Sequence, residues 1–233
     1  MNSTPADYTI AFQYYYRAFE IDDNNVELLE ALFNCVRNLR AIDLEKLDRL
    51  YSRFRELRPG SVLADIAMGN FYENTIQPDF EKALDHYEKA YEIDPMDKTA
   101  LYELGRYYLN IPEPDYVESC KYLHEFTKQD PDDGQVNFWL GWDNLVLGNY
   151  ESSKSYFENC SAENAAEVYQ NLGHIAVIQK DEIKARELYK KSIDRFDDKD
   201  KFYSSSMQDF KYLQKAGVDK DYFIATLEEA LKE

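Results

Sequence analysis

Apolar residues along this chain recur at spacings of three and four, the period that puts them on one face of an α-helix. One recurring segment reads small, three residues, aromatic, two residues, small, four residues, Pro or Asp. Ala83, Tyr87, Ala90 and Pro95 satisfy it, as do Ala185, Tyr189, Ser192 and Asp197, and Ala11, Tyr15, Ala18 and Asp23. Looser copies are Leu47, Tyr51, Phe54, Pro59; Ser119, Leu123, Phe126, Pro131; and Ser153, Phe157, Cys160, Ala165. The closing positions 23, 59, 95, 131, 165 and 197 advance in steps of 36, 36, 36, 34 and 32. Between them lies a second segment: large residue, two residues, apolar, Gly, two residues, Tyr. Leu101, Leu104, Gly105 and Tyr108 match it fully. Asp65, Met68, Gly69, Tyr72 and Tyr169, Leu172, Gly173, Ala176 match most of it. Asn137, Leu140, Gly141, Asn144 keep only the centre, and Leu29, Leu32, Phe33, Val36 keep the apolar spacing without the Gly.

Each period therefore predicts two helices. Gly in the first lets the second approach closely, the small residues opposite fill the contact, and Pro or Asp ends the second helix and opens the turn. The extra residues of the long periods fall in turns such as Ile76-Gln77-Pro78-Asp79. An isolated hairpin cannot bury its apolar face, so the units must stack. Residues 8–22 read as a second helix with no recognisable first helix ahead of them, so that either the chain is cut from something longer or its first unit is degenerate. Near the other end Tyr203, Ser206, Met207 and Phe210 keep the spacing in a seventh unit, and Asp221–Lys232 reads as an amphipathic capping helix with Phe223, Leu227 and Ala230 inward.

These paired patterns, over roughly residues 8–212, resemble the tetratricopeptide repeat family, whose period is about 34 residues. The departures are the 36-residue steps and the missing large aromatic at the first signature position. The resemblance implies an all-α, right-handed superhelical solenoid of antiparallel helix pairs, about six to seven repeats in one domain over 1–233. The expected units are 8–24, 25–60, 61–96, 97–132, 133–165, 166–198 and 199–233. It also implies a non-enzymatic interaction scaffold or adaptor that holds a partner's peptide or helix in a concave groove lined by first helices. The alternative is the regulatory or sensory arm of a larger enzyme or transcription regulator.

In the family, groove positions fall three before the signature Gly and one after it. Here they are Ile66 and Asn70, Tyr102 and Arg106, Phe138 and Trp142, and Gln170 and His174. Aromatics with Arg are the composition of binding hot spots, so Tyr102, Arg106, Phe138 and Trp142 are expected to carry the affinity, with Arg106 the one cation of the stripe. The competing reading packs Phe138, Trp139 and Trp142 between units, and Trp139 is assigned to the core. The family's clamp for a C-terminal carboxylate is not supported. Asn70 holds one of its Asn positions, but Ile66, Glu103, Gln135 and Trp139 stand where its other polar and basic residues belong.

Charge narrows the partner. Lys and Arg number 27 against 45 Asp and Glu, a net −18, which repels phosphate backbones and anionic lipid. A basic or apolar protein partner is expected, with neither nucleic acid nor membrane, and a homodimer through terminal helices is a further expectation. Cys35, Cys120 and Cys160 form no CxxC pair, against both a disulfide framework and a zinc site. The triplets Asn2-Ser3-Thr4 and Asn159-Cys160-Ser161 read as chance matches to a glycosylation signal, and a cytoplasmic location is expected, barring a removed leader. His86, His124 and His174 fall in different units and make neither a metal site nor a catalytic set; of the three, only His174 stands at a groove position. The run Asp130-Pro131-Asp132-Asp133-Gly134 lacks EF-hand spacing, with Gly141 where the bidentate Glu belongs, and reads as a solvated turn. No catalytic motif appears, so no catalytic residue, metal or cofactor is expected.

Overall fold

Acidic residues open most of the helices. The side chains of Asn25, Asp43, Asp79, Asp97, Asp115, Asp133, Asp181 and Asp198 each accept a hydrogen bond from a backbone N–H in the first turn that follows. Such caps are worth about 1 kcal/mol each, and a negative charge there also meets the positive end of the helix dipole. Part of the acidic excess is thus structural, including Asp133 of the acidic run, which caps a helix.

The computed structural model describes residues 5–160, 165–196 and 198–232, and these form thirteen α-helices with no strand among them. Helix α1 (Pro5–Phe19) is followed by α2 (Val26–Val36) and α3 (Leu44–Leu57), α4 (Leu63–Asn74) and α5 (Phe80–Ile93), and α6 (Lys98–Asn110) and α7 (Tyr116–Thr127). Then come α8 (Gly134–Val146) and α9 (Tyr150–Glu158), α10 (Ala165–Ile178) and α11 (Glu182–Ile193), and α12 (Lys199–Lys215) and α13 (Lys220–Lys232). The fold is an all-α helical repeat. Pro59, Pro95 and Pro131 sit in turns as their spacing predicts, whereas Ala165 opens α10 instead of closing the unit before it. Asp197 lies outside the described residues, as do the triplet Asn2-Ser3-Thr4 and Ser161.

The signature contact is literal. A Cβ on Gly69 would lie 2.4 Å from Tyr87 Cε1, one on Gly141 2.6 Å from Phe157 Cε1, and one on Gly173 2.4 Å from Tyr189 Cε1. The second helix of each of these pairs thus presses an aromatic ring onto bare backbone of the first. The pair α2–α3 solves the problem differently. Phe33 takes the Gly position and meets Phe54 edge-on at 5.2 Å, and Tyr51 turns to donate to Asp65 Oδ1 at 2.7 Å.

Contacts group the chain into two compact units, Met1–Pro114 and Asp115–Glu233. The boundary falls between the two helices of the 97–132 repeat. The first unit has a core centred on Leu29, Leu32, Phe33, Leu47, Leu50 and Phe54. The second has one group of buried residues around Phe157 and Ile175 and another around Tyr189, Phe202, Phe210 and Phe223. Helix α13 packs on α11, burying Phe223, Leu227 and Ala230.

Candidate functional site

Within each unit successive first helices adjoin: α2 with α4 and α4 with α6 in the first, α8 with α10 and α10 with α12 in the second. The predicted groove residues lie on these helices, four in each unit.

In the first unit, Ile66 and Asn70 of α4 are buried. Asn70 Nδ2 donates to the Ile66 carbonyl at 3.0 Å and to Glu103 Oε1 at 3.3 Å. Tyr102 of α6 is half-buried. Arg106 is fully engaged: its Nη1 and Nη2 reach the two oxygens of Glu73 at 2.8 and 2.6 Å, and its Nε reaches Glu103 Oε2 at 2.8 Å. Nη2 also donates to Tyr87 Oη at 3.2 Å. Arg37 Nη2 lies 3.5 Å from Glu103 Oε1, closing a set of two arginines and two glutamates. Burial works against the guanidinium's charge, but the hydrogen bonds to Glu73 and the charge of Glu103 outweigh it and raise the Arg106 pKa. Two readings are corrected here. Arg106 is not a cation waiting for a partner, because its own chain neutralises it, and Ile66 and Asn70 are covered. The Glu103 carboxylate beside the Asn70 amide also makes this spot hostile to a chain-terminal carboxylate.

In the second unit, Phe138 is half-buried with its ring 5.9 Å from that of Phe157. Trp142 is half-buried and meets Tyr212 of α12 edge-on, centroids 5.2 Å apart at 88°. The Tyr212 hydroxyl lies 2.8 Å from that of Tyr116, at the start of α7. Gln170 and His174 are buried, against the expectation that they face a partner. Gln170 Nε2 donates to Ser205 Oγ at 3.1 Å and Asp209 Oδ2 at 3.3 Å. His174 Nδ1 is 2.8 Å from Tyr189 Oη, and its Nε2 is 3.4 Å from Asp209 Oδ2. Both side chains tie α10 to its neighbours. Trp139 is half-buried.

Sequence reasoning did not find Tyr116 and Tyr212, which fall outside both repeat patterns. Nor did it find two carboxyls with no exposed surface, Asp65 and Asp143. Asp65 Oδ1 accepts from Tyr51 and lies 3.1 Å from His86 Nδ1, and Arg55 Nη1 is 3.5 Å from Oδ2. Asp143 Oδ2 accepts from Ser119 Oγ at 2.7 Å, while Oδ1 has no hydrogen-bond partner. Burial pushes the Asp143 carboxyl up to about 7, although hydrogen bonds from Ser119 and Cys120 oppose the shift. A signal for both was present. Asp65 holds a register position that Leu29, Leu101, Asn137 and Tyr169 occupy in other units, three of them apolar, and Asp143 holds that of Phe71, Tyr107 and Ile175. An acid at an apolar position of the repeat is a buried acid.

Burial pushes the Cys120 thiol up to about 12, with the charge of Asp143 adding to it, and the Cys160 thiol up to about 11. His86 stacks on Tyr72 at 5.7 Å, and His124 Nδ1 lies 3.0 Å from Tyr156 Oη. Among the described residues no group of three or more His, Cys, Asp or Glu is placed to hold a metal ion, and no helix is long and apolar enough to cross a membrane.

Comparison with known proteins bears on the fold. A tetratricopeptide repeat model matches residues 166–198, and a Sel1 repeat model matches 2–23, 63–94 and 98–130. No curated protein sequence matches the chain. Among solved structures, the chain is similar to YrrB, described as a tetratricopeptide repeat protein with an unusual peptide-binding site. The identity is 19% over 87% of this chain and 97% of that one, with a TM-score of 0.61. It is similar to a tetratricopeptide repeat protein from Parabacteroides merdae at 16% identity, over 97% and 93% of the two chains, with a TM-score of 0.54. MamA matches at 19% identity over 66% of this chain and 86% of its own, with a TM-score of 0.53. At such identities the likeness speaks to fold.

Proposed function

Because the chain is a tetratricopeptide-type repeat protein, we propose that it acts as a non-enzymatic scaffold that receives a segment of a partner protein on its first-helix faces. The observation that carries this reading is the aromatic group on the second unit. Trp142 stands half-exposed with its ring braced by Tyr212, one helical turn from Phe138. A braced aromatic loses little side-chain freedom when a partner covers it, and such residues dominate binding energies. Tyr102 plays the corresponding part on the first unit. YrrB, with its unusual peptide-binding site, supports the reading by analogy. The non-enzymatic part rests on the side chains that chemistry would need, since the histidines are held in packing contacts and the thiols are pushed away from ionisation.

A photo-crosslinking amino acid placed at Trp142 or Tyr102 tests this, with the exposed Ile183 of α11 as control. Covalent capture of a protein from native extract through 142 or 102, and not through 183, is the expected result. Capture through 183 alone would move the interaction surface off the first helices.

A further inference from the structure

The acidic excess of the chain is not spread evenly. Of 45 Asp and Glu, only Asp143 and Asp209 lie in the C-terminal halves of α8, α10 and α12, the first helices of the second unit. Both are turned inward. Asp143 has no exposed surface and accepts from Ser119 Oγ at 2.7 Å. Asp209 Oδ2 accepts from Gln170 Nε2 at 3.3 Å and lies 3.4 Å from His174 Nε2. Beside Tyr116, Asp115 caps its own helix and Glu118 is paired with Lys121.

Two lysines stand against this background. Lys211 Nζ lies 4.7 Å and Lys215 Nζ 5.9 Å from the centroid of the Tyr212 ring, the ring that braces Trp142. Both lysines are exposed, and neither forms an ion pair among the described residues. Lys121, Lys154 and Lys191, by contrast, reach acids three or four positions away on their own helices. That solution is closed to Lys211, whose neighbours at those distances are Met207, Gln208, Gln214 and Lys215. Like charges four apart on a helix destabilise it, and here no carboxylate on the same face of α12 offsets them.

Taking the Trp142 face as the interaction surface, we propose that the partner segment it receives is acidic, although the chain as a whole repels acid. The segment sets an apolar or aromatic side chain against Trp142 and two carboxylates on Lys211 and Lys215. Four residues of a helix advance about 6 Å, and alternate residues of an extended strand are about 6.7 Å apart. Two acids flanking one residue in an extended segment therefore match the lysine pair. Complementary charge at the contact selects partners, and at this contact the charge is positive.

The test uses the full chain and three ten-residue peptides read by calorimetry. The first has Phe-Leu-Glu-Phe-Glu at its centre between Gly-Ser flanks; in the others both Glu are replaced by Gln or by Lys. The Glu peptide is expected to bind at least about fivefold more tightly than the Gln peptide, the worth of two exposed charge pairs. The Lys peptide is expected to bind most weakly. Raising salt is expected to speed dissociation of the Glu peptide, because the two lysines act at contact range while the net −18 repels it further out. The double variant Lys211→Gln, Lys215→Gln is expected to lose the preference for Glu. Lys180→Gln, Lys220→Gln makes the same change in net charge and is expected to keep it. Gln and Lys have nearly equal helix propensity, and circular dichroism checks that both variants fold. Equal binding of the Glu and Gln peptides, strongest binding of the Lys peptide, no binding of any, or a preference that survives in the 211/215 variant overturns the proposal. Crosslinking through Trp142 with no preference for acid sinks this inference alone, and loss of capture through Trp142 sinks the interaction surface with it.

Discussion

Arg106 donates four hydrogen bonds to its own chain, and this changes what its removal would report. Glu73 and Glu103 are 7% and 6% exposed at their side chains, so Arg106→Ala leaves two nearly buried carboxylates without their main counter-charge. Breaking a buried pair in this way typically costs about 3–5 kcal/mol. Urea unfolding of Arg106→Ala is therefore expected to show a loss of that order, and a loss below about 1 kcal/mol would mean that the network is not closed as described. A binding defect in that variant would say little about a partner until stability is restored. Asp143 supplies the second prediction at this scale. Its carboxyl rises from 3.8 to about 7 because burial disfavours the charged form. The folded state thus holds the proton more tightly than the unfolded chain does. The contribution is fully present below about pH 4 and is lost as pH rises through about 7. Linkage puts the loss at up to about 4 kcal/mol. Asp143→Asn can keep the hydrogen bond from Ser119 and has no charge to bury. Its stability is expected to exceed wild type at pH 8 and to converge with it near pH 4. Parallel pH profiles for the two proteins would show that the site does not titrate in this range.

The helix pairs α4–α5, α8–α9 and α10–α11 share one contact, a ring on a glycine. Gly69→Ala should gain about 1 kcal/mol in helix propensity but places a Cβ 2.4 Å from the Tyr87 ring. That ring cannot retreat: Tyr87 has no exposed surface, and its hydroxyl is bonded to Glu73 and Arg106. A net destabilisation of about 1–3 kcal/mol is expected. Gly60→Ala, with nothing within 4 Å, should stay within about 0.5 kcal/mol of wild type. Thermal melts of the two variants separate a packing role for Gly69 from a general effect of replacing glycine. Features of this kind were legible in the sequence because they recur: Ala83, Tyr87 and Gly69 announce themselves by having counterparts one period away. The candidate site was less legible, because its outcome depends on pairings that do not recur. Arg106 finds Glu73 one repeat back, and in the repeats that place Asn70, Trp142 and His174 at the same position there is no guanidinium for an acid to hold. Tyr212 reaches Trp142 from a helix two first-helices away, a distance that periodicity does not encode. Burial of Gln170 and His174 followed from Asp209 and Tyr189, partners that only the packed structure brings within reach.

At the scale of the molecule, a net charge of −18 acts on both stability and recognition, and salt separates the two. Exposed pairs such as Lys121–Glu118, Lys128–Glu125 and Lys191–Glu187 are each worth little, so screening them sacrifices little. The uncompensated negative charges repel one another across the surface, and screening relieves that repulsion, since the Debye length falls to about 10 Å at 0.1 M salt. Raising NaCl from about 20 to about 200 mM is therefore expected to raise the melting temperature. With folding favoured by salt, any loss of partner affinity over the same range belongs to recognition and not to unfolding. A basic partner drawn by the acidic surface must then bind more weakly at higher salt, chiefly through slower association. A partner held by Trp142, Phe138 and Tyr102 through apolar burial must bind about equally well at both. Association and dissociation rates at the two salt concentrations decide between these chemistries. A slower on-rate with an unchanged off-rate identifies a basic segment, and unchanged rates identify an apolar one.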